Sequence, residues 1–179
     1  MNFCSHCGHK VQLTIPEGDS FPRHVCTRCG KVHYLNPLIV VGCVPEADGK
    51  ILLCRRAIEP RYGYWTIPAG FMENGETMAE GAARETMEEA MARVEIRDLF
   101  AVVDVIHARQ VHMMYRATLL DGFAAGAESL EVRLFEPTEI PWEEIAFHSV
   151  RFALEKYLED RAAGVERLHT KTIDLSRPA

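Results

Sequence analysis

Three carboxylates lie close together in the chain, at Glu85, Glu88 and Glu89. In a helix, positions i, i+3 and i+4 share one face, so these side chains would crowd together. Like charges at such spacings weaken an isolated helix by roughly 0.2–0.5 kcal/mol per pair. A hard divalent cation, which binds several oxygen ligands, would offset that repulsion. A solvated acidic helix face is the alternative, and the three glutamates alone do not exclude it.

The residues around the carboxylates complete a longer pattern. Residues 70–92 read GFMENGETMAEGAARETMEEAMA, and they resemble the Nudix box, GX5EX7REUXEEXGU, in which U is a bulky aliphatic residue. The chain keeps every charged position and the first glycine, at Gly70, Glu76, Arg84, Glu85, Glu88 and Glu89. Thr86 and Ala92 depart from the pattern at the U positions, and Met91 replaces the late glycine. Because Met enters a left-handed turn only with strain, we expect the helix to run slightly past its usual end, with the three carboxylates in place.

The resemblance implies the fold and activity of the Nudix hydrolases, which cleave nucleoside diphosphates linked to another moiety. The expected fold class is α/β, a Nudix-type α/β/α sandwich with a mixed sheet. The expected activity is that of a Mg²⁺- or Mn²⁺-dependent pyrophosphatase, in which Glu85, Glu88 and Glu89 hold the metal and a metal-activated water attacks one phosphorus. Arg84 is expected to orient a glutamate, because a guanidinium can hold a carboxylate with two hydrogen bonds.

The residue that accepts the proton stays open among Glu88, Glu89 and Glu131. Nudix enzymes often draw a further glutamate from a later segment, as an extra metal ligand or as a base. Glu131 resembles that residue most closely, and Glu128 is the alternative. A solvated loop glutamate without a catalytic role is the other interpretation of either position.

Arginines and aromatic residues between the second predicted strand and the box are candidates for substrate binding. A diphosphate substrate needs cations near its phosphates and an aromatic surface for its base, and arginine binds phosphate through planar, bidentate donors. We expect at least one arginine of this stretch to contact phosphate. The candidate residues are Arg55, Arg56, Arg61, Trp65 and Gly70, with Tyr62 and Tyr64 as further aromatic neighbours. Core anchoring by the aromatics and surface charge for the arginines remain the alternative.

The first 35 residues carry two CXXC pairs, Cys4/Cys7 and Cys26/Cys29, with eighteen residues between them. This spacing is typical of a four-thiolate zinc site, and a module this short needs a metal for much of its folding free energy. Two disulfides are a less consistent interpretation, because a reducing compartment keeps thiols reduced. A redox CXXC is also less consistent, because it would not need a second pair. Four cysteines complete a zinc shell, so the nearby histidines are expected at the surface. They are His6, His9, His24 and His33.

A subgroup of Nudix proteins carries such a zinc ribbon before the catalytic domain, and this chain resembles it in FCSHCG, HYLNPLIVVG and CRRAIEPRYGYWTIPAGFMENGE. The resemblance implies ADP-ribose or FAD as substrate and a homodimer as the assembly. The ribbon-bearing NADH pyrophosphatases are more distant, because their Ser-Gln-Pro motif after the box is missing here. An RNA-decapping hydrolase is a rival within the class, and a nucleotide-sensing module that binds without cleaving is a rival outside it.

Composition limits the remaining possibilities. The 179 residues are 47% hydrophobic and carry a net charge of −6, which is ordinary for a globular domain and argues against an extended nucleic-acid surface. The chain lacks an apolar run long enough for a bilayer and an apolar signal at its start, so we expect a cytoplasmic protein that does not contact membranes. We divide it into a zinc ribbon over 1–35, a Nudix domain over 36–163 and a polar tail over 164–179.

Short-range patterns predict the elements that position these residues. Residues 38–44 form an uninterrupted apolar run typical of a buried strand, and Ala47-Asp48-Gly49-Lys50 predicts a hairpin into a second strand over 51–55. Thr77 and Glu80 form a capping box that begins the carboxylate helix. Residues 149–161 have the pattern of a final amphipathic helix that covers one sheet face.

Overall fold

The computed structural model describes residues 1–176 and divides the chain into two compact units, Met1–Pro37 and Leu38–Ala179. The first unit is a three-stranded antiparallel sheet of order β1-β2-β3. Its strands are β1 (Val11–Thr14), β2 (Arg23–Cys26) and β3 (Val32–His33). Strands β1 and β2 thus form a hairpin in the segment that joins the two cysteine pairs.

The four cysteines of the first unit converge, with all their sulfur atoms within 4.8 Å of one another. Tetrahedral zinc with Zn–S bonds of about 2.3 Å requires sulfur separations of about 3.8 Å. The Sγ atoms of Cys4 and Cys29 are 3.8 Å apart, and Cys7 lies 3.4 Å from Cys26 and 3.5 Å from Cys29. The donor set therefore fits Zn²⁺, as the spacing predicts.

One histidine of the first unit departs from the expectation. His33 is buried, at 8% exposure, and its Nε2 lies 3.2 Å from Cys4 Sγ. A ring N–H at this distance stabilises a thiolate and orients it, which is the usual role of a group that contacts a metal ligand. The expectation of a surface position is wrong for His33, because the β2–β3 pairing directs this side chain towards the sulfur cluster.

The second unit is built on an eight-stranded mixed sheet of order β10-β5-β4-β9-β8-β11, with two short strands, β6 and β7, paired to β5 and β4. The β4–β9 and β11–β8 pairs are parallel, and the other pairs are antiparallel. The strands are β4 (Leu38–Ala47), β5 (Lys50–Arg56), β6 (Trp65–Thr66), β7 (Ala69–Phe71), β8 (Val94–Val105), β9 (Gln110–Leu119), β10 (Ser129–Phe135) and β11 (His169–Ile173).

Two helices cover opposite faces of this sheet, α1 (Met78–Ala90) and α2 (His148–Ala163). Alternate residues of β4 point to opposite sides. Val41 and Cys43 pack against Ala82 of α1, whereas Val44 belongs to the core that contains Leu154 of α2. The unit is therefore an α/β/α sandwich with a mixed sheet, which confirms the predicted fold class.

Helix α1 begins as predicted but ends differently. The capping box of Thr77 and Glu80 is present at its start. At its end, Met91 adopts the left-handed conformation, with φ 47° and ψ 34°, so the expected extension of the helix is wrong. The loop between β9 and β10 supplies the reason, because the amide N–H groups of Ala124 and Gly126 donate to the last carbonyls of the helix, those of Ala90 and Glu89, at 2.9 and 3.0 Å. Met91 is 57% exposed, so its strain is confined to the backbone.

The C-terminal segment also departs from the expectation of a polar tail. His169–Ile173 forms β11, which pairs in parallel with β8 at the edge of the sheet. Only Ile173 of this strand is buried, so the sequence HTKTI lacks the apolar alternation that predicts strands. Backbone pairing and the hydrogen bond from the His169 ring to buried Asp160, at 2.9 Å, hold the segment in place. Within residues 1–176, neither helix has the length and apolarity needed to cross a lipid bilayer.

Candidate active site

A cavity of about 980 Å³ lies on the second unit, with the carboxylates of α1 on one side. The strand register shows how it extends over the sheet. Val40 of β4 pairs with Phe71 on β7 and with His112 on β9, while Val105 of β8 pairs with Ile173 on β11. All five side chains line the cavity. Four interstrand steps of about 4.8 Å give it a reach of roughly 19 Å, enough for an elongated ligand with two moieties.

Arg84 organises the acidic side of the cavity. Its Nε and Nη2 donate to both oxygens of Glu76, at 3.0 and 2.8 Å, and its Nη1 donates to Glu85 at 2.7 Å and to Glu88 at 3.1 Å. The bond to Arg84 is the main reason why the pKa of Glu76 falls to about 2. Arg84 also donates to the Phe71 carbonyl at 3.0 Å, so one guanidinium ties the box loop to the helix.

Glu85 and Glu89 are held close to the backbone of β7. Glu89 is 6% exposed and accepts from the Ala69 amide at 3.3 Å. Burial raises the pKa of Glu89 to about 8, and burial also raises the pKa of Glu85 although Arg84 opposes the shift. Glu85 approaches Gly70 so closely that a Cβ at Gly70 would lie 2.3 Å from its Oε2. The first glycine of the box is therefore needed for this approach.

Glu128 brings a fourth carboxylate to the same cavity. Its charge contributes to the raised pKa values of Glu85 and Glu89. Four carboxylates of this kind form an oxygen donor set suited to a hard divalent cation, and buried Glu89 has no ion pair with a basic side chain among residues 1–176. These carboxylates fit such a cation by their chemistry. Within residues 1–176, the four cysteines are the only group of three or more side chains whose ligand atoms already lie within 4.8 Å of one another.

Glu131 occupies a different environment from Glu128. Its carboxylate lies 3.9 Å from Arg55 Nη1, both side chains are about half exposed, and neither residue lines the cavity. The β10–β5 register shifts between Ser129 and Glu131, whereas the Glu128 carbonyl is fixed by the Ala57 amide at 2.8 Å. The structure thus brings the alternative glutamate of this segment, not the first choice, to the carboxylate cluster.

The predicted substrate residues separate into two groups. Arg56, Arg61 and Gly70 line the cavity, while Arg55 and Trp65 do not. Trp65 is 6% exposed and packs edge-on against Phe135, with ring centroids 4.8 Å apart. The core-anchor interpretation therefore describes its position, because β6 pairs with β5 inside the sheet.

Several cavity residues carried no recognisable sequence signal. Phe71 and Phe147 supply aromatic surface, His112 lies on the floor, and Ile173 and Leu175 belong to the segment expected as a tail. His112 is buried, which lowers its pKa to about 4 and keeps its ring neutral at physiological pH. Only the pairing of distant strands brings these positions together, so local patterns could not identify them.

Replacing Gly70 by Ala should weaken metal binding without unfolding the protein. The added methyl group meets the Glu85 carboxylate and not the backbone, so the carboxylate is expected to move and metal affinity to fall about 10- to 100-fold. Metal titration of activity measures the change. Gly122→Ala is the matched control, because a Cβ there meets nothing within 4 Å. Equal metal dependence of the two variants would contradict the role assigned to Gly70.

Magnesium should stabilise the protein more at alkaline pH than at acidic pH. Burial raises the pKa of Glu89 from 4.5 to about 8, so folding favours its protonated form. Its unfavourable contribution to stability appears as the pH rises above about 4.5 and is complete above about 8. A cation at the carboxylate offsets that contribution. The rise in Tm on adding Mg²⁺ should therefore be larger at about pH 8.5 than at about pH 5, and Glu89→Gln should reduce the difference. An equal rise at both pH values would contradict it.

Comparison with known proteins supplies independent information about this site. A family model described as "Nudix N-terminal" matches residues 2–35, and one described as "NUDIX domain" matches residues 36–161. The crystal structure of a NUDIX hydrolase from Nitrosomonas europaea is 56% identical, covers 97% of this chain and 99% of its own, and superposes with a TM-score of 0.93.

The curated relatives include an ADP-ribose pyrophosphatase and NAD-capped RNA hydrolases. An ADP-ribose pyrophosphatase from Methanocaldococcus jannaschii is 28% identical over 132 residues, which are 71% of this chain and 74% of the relative. An NAD-capped RNA hydrolase NudC from Photorhabdus laumondii is 31% identical over 140 residues, 77% of this chain and 48% of the relative. The chain thus spans about half of that second enzyme, and 35% of the corresponding protein from Edwardsiella ictaluri.

Proposed function

The chain belongs to the Nudix family of hydrolases, and on that premise we propose that it cleaves the pyrophosphate bond of a nucleoside diphosphate derivative, with Mg²⁺ or Mn²⁺ as cofactor. The favoured substrates are ADP-ribose and FAD. The observation that carries the proposal is the single cavity that contains Glu85, Glu88 and Glu89 together with two arginines, Arg56 and Arg61.

The residues of the cavity account for the parts of this reaction. Glu85, Glu88 and Glu89 would hold the divalent ion, which supplies charge neutralisation at the phosphates and lowers the pKa of water. Arg84 keeps Glu85 and Glu88 in position through its hydrogen bonds. Arg56 and Arg61, which line the same cavity, would bind phosphate oxygens, because planar guanidinium donors suit them.

The bond changes balance without any further reactant. The oxygen of water bonds to one phosphorus, the bridging P–O bond breaks, and the proton of the water passes to a carboxylate. Glu88, Glu89 and Glu128 line the cavity and are the proposed candidates to accept it, whereas Glu131 is not among the residues that line it. ADP-ribose would give AMP and ribose 5-phosphate, and FAD would give AMP and FMN.

Cavity size and relatives support a dinucleotide-like substrate. A volume of about 980 Å³ is at the upper end of the roughly 300–1,000 Å³ usual for small-molecule sites. One relative is an ADP-ribose pyrophosphatase, and its alignment with this chain covers 74% of that protein. Phe71, which is half exposed, offers the aromatic surface for a base, in place of the Trp65 surface expected from sequence.

NADH or an NAD-capped RNA end is the second candidate substrate. It is favoured by the NAD-capped RNA hydrolases, which are 31–36% identical to this chain over the aligned part. A net charge of −6 provides little attraction for a long RNA. Such a substrate would therefore be recognised at its capped end.

A panel of substrates tests these proposals. ADP-ribose, FAD, NADH, CoA and NAD-capped RNA would each be assayed with Mg²⁺ and with Mn²⁺, and AMP release would be measured. We expect kcat/KM to be highest for ADP-ribose or FAD. Tight, reversible binding without hydrolysis of any of them would instead support a sensing module, which the retained and clustered box carboxylates disfavour.

The assembly is proposed from the family resemblance. A homodimer would have twice the mass of the 20.2 kDa chain, about 40 kDa. Light scattering on the purified protein distinguishes it from a monomer.

A further inference from the structure

Helix α2 begins at the cavity without a capping side chain. Its N-cap residue, Phe147, is extended, with φ −132° and ψ 140°, and provides no hydrogen bond to the helix. The first bond of the helix runs from the Arg151 amide to the Phe147 carbonyl. The amides of His148, Ser149 and Val150 therefore have no backbone partner among the described residues. In contrast, the capping box of Thr77 and Glu80 provides side-chain partners for two amides at the start of α1.

Uncapped amides at a helix start are unfavourable when they face a cavity and not open water. Residues 146–149 of this helix start line the cavity. Free N–H groups and the positive end of the helix dipole together attract an anion. A helix start alone does not identify a ligand, but two buried side chains beside it point to the same kind of group.

Ser149 is the first of these side chains. It is 3% exposed and lines the cavity. No hydrogen bond of its hydroxyl group occurs within the part of the chain that the structure describes. The Ser149 hydroxyl oxygen is not one of the fully enclosed polar atoms without a partner, so it reaches the cavity, where a polar atom of a ligand is the expected partner.

Arg56 is the second. It is 8% exposed, and its guanidinium stacks on the Phe147 ring with 5.0 Å between Cζ and the ring centroid. Its Nε donates to the Pro60 carbonyl at 2.9 Å. Neither terminal nitrogen has a hydrogen-bond or ion-pair partner among residues 1–176. A buried guanidinium with free, planar donors fits an oxyanion that can accept two bonds.

Arg56, Ser149 and the start of α2 line the same cavity as the carboxylates of α1. Arg56 pairs with Ser129 across β5 and β10, and the amide of Ala57 donates to the Glu128 carbonyl at 2.8 Å, so Arg56 lies beside Glu128. Glu128 lines this cavity together with the α1 carboxylates. A group bound by Arg56 would therefore lie near the carboxylates of α1. Within a diphosphate substrate, that position belongs to a phosphate and not to a distant sugar or base.

We propose that the start of α2, with Arg56 and Ser149, is a subsite for one phosphate of the substrate diphosphate. The Nη atoms of Arg56, the hydroxyl of Ser149 and the free amides of the helix donate to its oxygens. The other phosphate then faces the carboxylates of α1. The inference rests on the proposed function only in assigning the phosphate to a diphosphate substrate.

Steady-state kinetics with ADP-ribose and Mg²⁺ provide the first test. Ser149→Ala should raise KM about tenfold, the effect expected for one hydrogen bond to a charged group, and Arg56→Gln should raise it more. Ser129→Ala is the matched control, because Ser129 is also buried and its hydroxyl has no hydrogen-bond partner within residues 1–176, yet it does not line the cavity. Its KM should stay within about twofold of the wild type.

A pair of substitutions at the N-cap tests the anion specifically. Phe147→Ala removes the ring under Arg56, whereas Phe147→Asp also caps the free amides and adds a negative charge. KM should rise further for the Asp variant than for the Ala variant. Equal KM values for the two variants, or an Asp variant with wild-type KM, would overturn the subsite.

Binding of AMP, measured by calorimetry with Mg²⁺, separates this proposal from the catalytic one. The wild-type protein should bind AMP, and Ser149→Ala and Arg56→Gln should weaken binding about tenfold or more. That result without hydrolysis of any dinucleotide would retain the subsite and reject the proposed function. Normal hydrolysis with unchanged KM and AMP affinity in both variants would retain the function and reject the subsite. A wild-type protein that does not bind AMP would also reject the subsite.

Discussion

Glu88→Gln is expected to lower kcat/KM for the preferred diphosphate substrate about 10²- to 10³-fold. The exchange removes one negative charge from the carboxylate cluster with almost no change in shape. Loss of metal stabilisation at the phosphates is worth several kcal/mol, and about 1.4 kcal/mol corresponds to a tenfold change in rate. Glu88 has a side chain that is 58% exposed, so the free energy of unfolding should change by less than about 0.5 kcal/mol.

Turnover at increasing Mg²⁺ and Mn²⁺ concentrations measures this effect, with Tm as the test of folding. The matched control is Glu155→Gln on α2. Glu155 pairs with Arg151 at 3.1 Å in the same i,i+4 arrangement as Glu88 with Arg84, also 3.1 Å, and it does not line the cavity. If Glu88→Gln retained wild-type turnover with normal metal dependence, Glu88 would not be a metal ligand.

Cys26→Ser is expected to unfold the first unit and release its zinc. A unit of 37 residues, Met1–Pro37, is below the roughly 40 residues at which a domain usually folds without metal or disulfide support. Structural zinc contributes about 10–16 kcal/mol to such modules at neutral pH. Loss of one thiolate of the four therefore removes the main source of folding free energy.

Zinc content per chain and limited proteolysis measure the loss. The wild type should contain one zinc and resist cleavage within residues 1–37, while Cys26→Ser should lack zinc and be cut there. Cys54→Ala is the control, because Cys54 is equally buried but lies in the core of the second unit. It should keep its zinc and lower the Tm. Retained zinc and protease resistance in Cys26→Ser would show that the cluster does not hold the unit together.

Features encoded by a few neighbouring residues were predictable from the sequence. The Asp48-Gly49 turn adopts positive φ at both positions, 50° and 80°, as a two-residue hairpin requires. The capping box of Thr77 and the cysteine spacing are equally local, since the chemistry fixes the distance along the chain. These signals were sufficient for the zinc ribbon and for the start of the carboxylate helix, whereas the fold class followed from the resemblance of residues 70–92 to the Nudix box.

Features that depend on residues distant in the chain were not predictable from the sequence. Met91 enters the left-handed region because a loop more than thirty residues later satisfies the helix carbonyls. Trp65 is drawn into the core by Phe135, and the difference between Glu128 and Glu131 arises from a register shift in β10. Each outcome is set by tertiary packing, which overrides the local preference of the residue.

Strand β11 contributes to the cavity but carries none of the box carboxylates. The family model ends at residue 161, yet Ile173 and Leu175 form part of the cavity wall. A fragment that stopped at the family boundary would retain every carboxylate of the box and lose one side of the binding site. Under the proposed function, substitutions at Ile173 are expected to change the range of substrates while the box carboxylates stay the same. Substrate selectivity and catalysis would then depend on different segments of the chain, so a substitution can alter one without the other.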